Sequence, residues 1–349
     1  MRSLRLGIIG AGSIVEKKHL LALAEVSEIA VIGLCRRDAE RLGPLADRFR
    51  IAKRWTDHRD LIADREIDAV LVATGPKAQP GIVMDALAAG KHVFAEKPMA
   101  ETSVEARRLA QAIHASPVRF QIGFNKRFYY GYRTAKQLIR TGELGALSGI
   151  HARFWFQPGR ADPMLHNAIH FFDLVQMFMG PAEEVFARTW AADGPGATLT
   201  VSLRFTGGAV GNLLLSSLAS WDYVNEHVDV IGSNGNVLSV ENGRLLRLFR
   251  RGEDKRSHVY ENTLSAHWWS GHEEQGFVLQ LRAFARAVIG AAGGPADPEG
   301  LGLLAAGADD GVRALELLEA ATVSMAGGAN VFTAVDSRSP KPQTEGAGG

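Results

Sequence analysis

Cysteine is almost missing from this chain, with one in 349 residues. Cys35 has no second thiol to pair with, which excludes an internal disulfide framework and agrees with a reducing compartment. Long apolar runs are missing too. None approaches the roughly 20 residues a helical membrane span requires, so no membrane partner is expected. The opening MRSLRLGIIGAG lacks the extended apolar stretch and small-residue cleavage site of a secretory signal. These absences make the cytoplasm the expected location. An excess of either charge is also lacking. The 39 Lys and Arg against 38 Asp and Glu give a formal net charge of +1, so no global field draws in nucleic acid or an anionic surface. Residues 336–349, DSRSPKPQTEGAGG, are polar and rich in Gly and Pro, and are expected to form a disordered tail.

What is present has the balance of a globular protein, 46% apolar and 22% charged, with length enough for two domains. Over the first 120 or so residues, short apolar runs alternate with amphipathic ones. The runs LRLGII (4–9), IAVIGLC (29–35), DAVLVA (68–73), HVFA (92–95) and VRFQI (118–122) predict strands. VMDALAAG (83–90) and SVEARRLAQAIHA (103–115) between them predict helices, an alternation that indicates a parallel sheet covered on both faces. After LIRTGELGALSG (138–149) the pattern changes. IHARFWF (150–156), TLTVSLRF (198–205), AVGNLLLSSLAS (209–220), HVDVIGS (227–233) and NVLSVENGRLLRLFR (236–250) read as strands, joined by the turn signals TGG, SNGN and ENG. A late helix is expected over about 301–325. The fold class is therefore α/β: a dinucleotide-type parallel sheet in residues 1–123, then an α+β domain on a large, mostly antiparallel sheet in 124–335. An apolar sheet face needs covering, so a homo-oligomer, dimer or tetramer, is expected.

LGIIGAGSIVEKKH places Gly10 and Gly12 between the first strand and a helix. Glycines there permit a tight turn and close approach to a pyrophosphate, as in the Rossmann fingerprint, although Val15 stands where a third glycine or alanine is usual. At the end of the second strand an NAD site usually carries Asp or Glu for the ribose 2′-hydroxyl. Here Arg36 and Arg37 occupy the position, and guanidinium groups pair with phosphate. NADP is the expected cofactor, with NAD as the alternative. GKHVFAEKPMAET puts Glu96, Lys97 and Pro98 just beyond the fifth strand, at the sheet edge where ligands bind. A lysine there can hydrogen-bond a substrate hydroxyl.

LHNAIHFFD holds His166, His170 and Asp173, which at about 100° per residue share one face of a helix. Such a face could ligate a metal, carry acid–base chemistry, or line a polar seam.

The segments GIIGAGSI, AGKHVFAEKP, GFNKRF (123–128), TGELG (141–145), AIHFFDLV (168–175) and DDGVRALELLEAA (309–321) occur in the order found in one family. Together they resemble the glucose–fructose oxidoreductase / inositol dehydrogenase / rhizopine catabolism (Gfo/Idh/MocA) family, over nearly the whole chain. The resemblance implies an NAD(P)-dependent oxidoreductase of two domains, acting on a sugar, cyclitol, keto-sugar or related polyol. It implies that Lys97 contacts both cofactor and reacting oxygen, that His170 is the acid–base group, and that Asn125 and Arg127 shape the substrate site. Cofactor contacts are expected from Gly10, Gly12, Ser13, Ile14, Arg36, Arg37, Thr74, Glu96 and Lys97. Inositol-dehydrogenase-like members carry an aspartate where this chain has His166, so His166 is expected to assist catalysis or bind substrate. No metal is expected. The competing readings are a non-catalytic dinucleotide-binding regulator and a nicotinamide-dependent glycosidase of the same superfamily.

Overall fold

In the computed structural model, residues 3–156, 164–191, 196–218, 225–252, 257–261, 275–291 and 300–333 are described. The expected tail at 336–349 lies outside them, as do residues 219 and 220 of the predicted third strand of the second sheet. The chain divides into two units, one of residues 1–133 and 261–315, the other of 134–260 and 316–349.

In the first unit the apolar runs become β1 (Leu4–Ile9), β2 (Ile29–Cys35), β3 (Lys53–Trp55), β4 (Ala69–Val72), β5 (His92–Ala95) and β6 (Phe120–Ile122). They form one parallel sheet in the order β3-β2-β1-β4-β5-β6. The connections supply α1 (Leu20–Leu23), α2 (Ala39–Arg48), α3 (His58–Ala63), α4 (Gln79–Ala88) and α5 (Ser103–His114). The helix leading into α1 begins with a π-wound stretch, Val15–His19, in which Val15 is fully buried at the place a glycine usually holds. Strand order reverses between β1 and β4, so the loops leaving those two strands flank the switch point of a doubly wound sheet.

After α6 (Tyr130–Arg140) come β7 (Leu147–Trp155), α7 (Ile169–Met179), β8 (Ala182–Ala191), β9 (Ala197–Phe205), β10 (Val210–Ser216), β11 (Asn225–Gly232), β12 (Val237–Glu241), β13 (Leu245–Phe249) and β14 (Ser257–Glu261). With β15 (Val331–Phe332) they make a nine-stranded sheet, β14-β13-β12-β11-β7-β10-β9-β8-β15. It is mostly antiparallel, with β7 and β10 parallel. Alternation sets its two faces. Ile150, Ala152 and Phe154 of β7 are buried, and Phe154 stacks on Phe171 of α7 with centroids 4.7 Å apart. Asn242 and Gly243 both take positive φ, the requirement of the tight hairpin that ENG announces.

Two helices remain, α8 (Phe277–Ala291) and α9 (Ala308–Gly327). Phe277, Leu281, Phe284 and Val288 of α8 pack into the core of the first unit with Leu6, Ile8, Leu71 and Phe94. The helix expected from residue 301 starts at Ala308, because Leu301–Leu303 form a separate 3-10 turn behind Gly300, whose φ is +63°.

Candidate active site

The glycine loop is built from two constraints. Gly10 has φ +91°, and a Cβ on it would lie 2.5 Å from the Ala73 carbonyl oxygen, so only glycine fits. The Gly10 and Ala11 N–H groups both donate to the Cys35 carbonyl, at 3.0 and 3.3 Å, which ties the loop to the end of β2. Around Gly12 the space is open, since a Cβ there would meet nothing nearer than the Gly10 carbonyl at 3.8 Å. Ser13 and Ile14 continue from Gly12 towards the first helical turn. Across the switch point, the buried Thr74 Oγ1 has no hydrogen-bond partner among the described residues. An open glycine cradle beside an unsatisfied hydroxyl suits the polar diphosphate portion of a dinucleotide.

Arg36 bends back over this loop, donating from its guanidinium to the Ala11 carbonyl at 2.7 Å, and Arg37 is exposed. Asp38, the remaining charge at this strand end, accepts from the Arg41 N–H as the N-cap of α2.

At the end of β5, Lys97 is half-buried and followed by a cis Lys97–Pro98 bond. Glu96 is pinned from several sides. Its Oε1 accepts from His19 Nε2 at 2.7 Å, its Oε2 accepts the Lys97 N–H at 3.2 Å, and its carbonyl accepts from Gln79. Gln79 Nε2 also reaches the Pro98 carbonyl at 2.9 Å, so the lysine turn is fastened on both sides. Burial pushes the Lys97 amine below its ordinary value; Glu96 opposes this and Lys126 adds to it.

Asn125 and Arg127 are buried beside this unit's core. Asn125 donates to the Gln275 carbonyl at 3.0 Å. Arg127 pairs with Asp310 at 3.1 Å. Burial would raise the Asp310 carboxyl, but Arg127 and Arg313 outweigh it and hold the group below its usual range.

Sequence reading misses Lys18, His19, Gln79 and Gln275. A signal exists for two of them: Val15, Lys18, His19 and Ala22 recur at the spacing of one buried helical face. Lys18 is buried, bonded through Nζ to Gln275 Oε1 at 2.8 Å, and burial brings its amine down to about 8. Between that value and the ordinary 10.5 the unfolded chain holds more protons, so this lysine makes stability rise with pH across that window. The Cys35 thiol, pushed by burial from 9.0 up to about 11, acts oppositely above its ordinary value. A rise in Tm is therefore expected between about pH 8 and 9, and Lys18→Met should flatten it. A variant that keeps the parental slope would show that Lys18 is not its source.

In the second unit, LHNAIHFFD does not lie in one regular helix: Met164–Ala168 is a π-wound stretch, and α7 follows it. His170 and Asp173 belong to α7 and are buried; His166 lies in the wider turn and is half-buried. The single face expected at α-helical spacing therefore holds for His170 and Asp173, while π winding changes the angular offset of His166. Among the described residues no group of three or more His, Cys, Asp or Glu side chains is placed to hold a metal ion.

A glycine cradle at the switch point of a doubly wound sheet is the architecture of a dinucleotide-binding domain. The profile described as "Oxidoreductase family, NAD-binding Rossmann fold" matches residues 4–124, and that of the GFO/IDH/MocA C-terminal domain matches residues 132–238. The chain belongs to the GFO/IDH/MocA oxidoreductase family. It is 32% identical over 280 residues to the inositol 2-dehydrogenase of Acidothermus cellulolyticus, covering 76% of this chain and 80% of that one. Its fold is shared with a levoglucosan dehydrogenase solved in complex with NADH (TM-score 0.82, 20% identity, 95% of this chain and 99% of that one). A dehydrogenase from Chromobacterium violaceum is similar to the same degree (TM-score 0.82, 20% identity, 94% and 97% covered).

Proposed function

We propose that this protein is an NADP-dependent oxidoreductase that interconverts a hydroxyl and a keto carbon on a sugar, cyclitol or related polyol. The observation that carries the reading is the fastened Glu96–Lys97–Pro98 turn on the sheet edge that also bears the glycine cradle. The inositol 2-dehydrogenase relative supports the polyol class.

When bound, the nicotinamide supplies the hydride donor or acceptor; the rest falls to the chain's own groups. Gly10, Gly12, Ser13, Ile14 and Thr74 would hold the diphosphate, Glu96 and Lys97 the nicotinamide half. Oxidising a carbinol requires loss of the hydroxyl proton, and reducing a ketone requires its delivery. His170 is assigned that exchange, since imidazole carries protons near neutrality in either direction. Lys97, as the ammonium, is assigned the stabilisation of negative charge on the reacting oxygen. His166 orients the substrate or binds a neighbouring hydroxyl, and Asp173, deeper on α7, anchors the helix. Asn125 and Arg127, held by Gln275 and Asp310, shape the substrate side through the backbone they fix. The open sheet face, where Phe186, Trp190 and Phe332 lie opposite the face packed on α7, is assigned to a second copy of the chain.

Cofactor choice is assigned to the arginine pair. NADPH should bind more tightly than NADH, and Arg36→Asp should narrow or invert the preference. Because Arg36 also bonds the Ala11 carbonyl, Arg37→Ala is the cleaner companion variant. It should weaken NADPH by about tenfold, the order of one lost charged hydrogen bond, and leave NADH nearly unchanged. Fluorescence titration with both reduced dinucleotides measures this; NADH binding as tightly as NADPH to the parent protein would overturn the assignment.

A further inference from the structure

His19 is fully buried, yet no step above uses it. It lies on the helix that leaves the glycine loop, with its ring edge-on to Phe94 and Phe277 at 5.9 and 5.4 Å. Its Nε2 donates to Glu96 Oε1, while the other carboxylate oxygen accepts the Lys97 N–H. A carboxylate this deeply buried needs hydrogen bonds to replace the water it has lost. Gly123, just beyond β6, also faces this carboxylate: a Cβ there would stand 3.1 Å from Glu96 Oε1.

We propose that His19 is a positioning residue of the reaction: it holds the Glu96 carboxylate in place, and through Glu96 fixes the direction of the Lys97 turn and the charge beside its amine. The inference rests on the reading of Lys97 as the group that stabilises the substrate oxygen.

Among the described residues of this unit, Glu96 favours the ammonium form of the lysine, and Lys126 opposes it together with burial. Those near His19 are Glu96 and, one residue back on its helix, Lys18, which is turned to Gln275. Without the His19 donor, the Glu96 carboxylate loses its anchor and turns away, and Lys97 loses the neighbour that favours its charge. The amine then gives up its proton at lower pH. Because Lys97 works as the ammonium, turnover is present below its titration and lost above it. The alkaline loss of activity must therefore move to lower pH.

Two readouts on the full-length protein test this. The first is the alkaline limb of kcat/KM. The second is competitive acetylation of the Lys97 amine against pH, read by peptide mass spectrometry with no dinucleotide added. His19→Leu should shift both downward by about one pH unit, the order expected when a close opposite charge is lost. His19→Gln places an amide donor near the same point and should restore the parental profile. If His19→Leu does not fold, Glu96→Gln removes the charge at constant volume and should give the same downward shift. A parental labelling profile in His19→Leu, or in Glu96→Gln where it stands in, overturns the inference. A shifted labelling profile together with parental turnover in Lys97→Met would instead sink the assignment of Lys97, and the positioning role with it.

Discussion

Lys97→Met is expected to lower kcat by about 10² or more, the range for a positioned acid–base or charge-stabilising group. Methionine preserves length and apolar bulk but donates nothing, so charge building on the substrate oxygen loses its partner. The turn itself should persist, because the Glu96 carbonyl and the Pro98 carbonyl are held by Gln79, and neither bond uses the lysine side chain. Dinucleotide affinity, measured by fluorescence titration, should change little. An effect on kcat and kcat/KM alike would mark an interaction made in the transition state. Near-parental turnover in a folded Lys97→Met protein would remove the residue from the mechanism.

His170→Ala should likewise cost about 10² to 10⁴ in kcat, as expected for loss of the group that exchanges the hydroxyl proton. His166→Ala should act differently, mainly raising KM or altering which polyol is preferred. The structural basis is the break in winding between them: His170 is buried on α7, while His166 sits half-buried in the π-wound stretch before it. Steady-state kinetics of the two variants on one substrate separates these outcomes. Equal losses of kcat would assign both histidines to proton transfer. Chelator treatment should leave activity unchanged. Stoichiometric zinc or manganese, with activity lost on its removal, would mean that the histidines are ligands.

How much of this was legible in the sequence depended on whether the signal was local. Continuous apolar runs carry β1, β2 and β5 with the bounds that LRLGII, IAVIGLC and HVFA announce. β3 has no such signature, since Lys53 and Arg54 are charged and the strand is defined by pairing with Gly33, Leu34 and Cys35. β8 begins AEEVF, and its clean inward positions are Val185 and Ala187, too few to outweigh the leading glutamates. α8 has a wide apolar face, but its place in the core of the first unit depends on partners more than 180 residues earlier, such as Phe94 with Phe284. π winding at Val15–His19 and Met164–Ala168 is likewise invisible to a period of 3.6. In the candidate site, Gly10, Arg36 and Lys97 are marked as candidates by the strand ends beside them. The His19–Glu96 bond could not, because it joins two residues 77 positions apart.

The most direct test is a screen of sugars, cyclitols and keto-sugars with NADP(H) and NAD(H), followed by the absorbance of the reduced nicotinamide. Turnover is expected on at least one polyol or keto-sugar, faster with the phosphorylated cofactor, and lost in both Lys97→Met and His170→Ala. Tight dinucleotide binding with no turnover on any member of the panel would contradict it and favour a binding regulator built on the same fold.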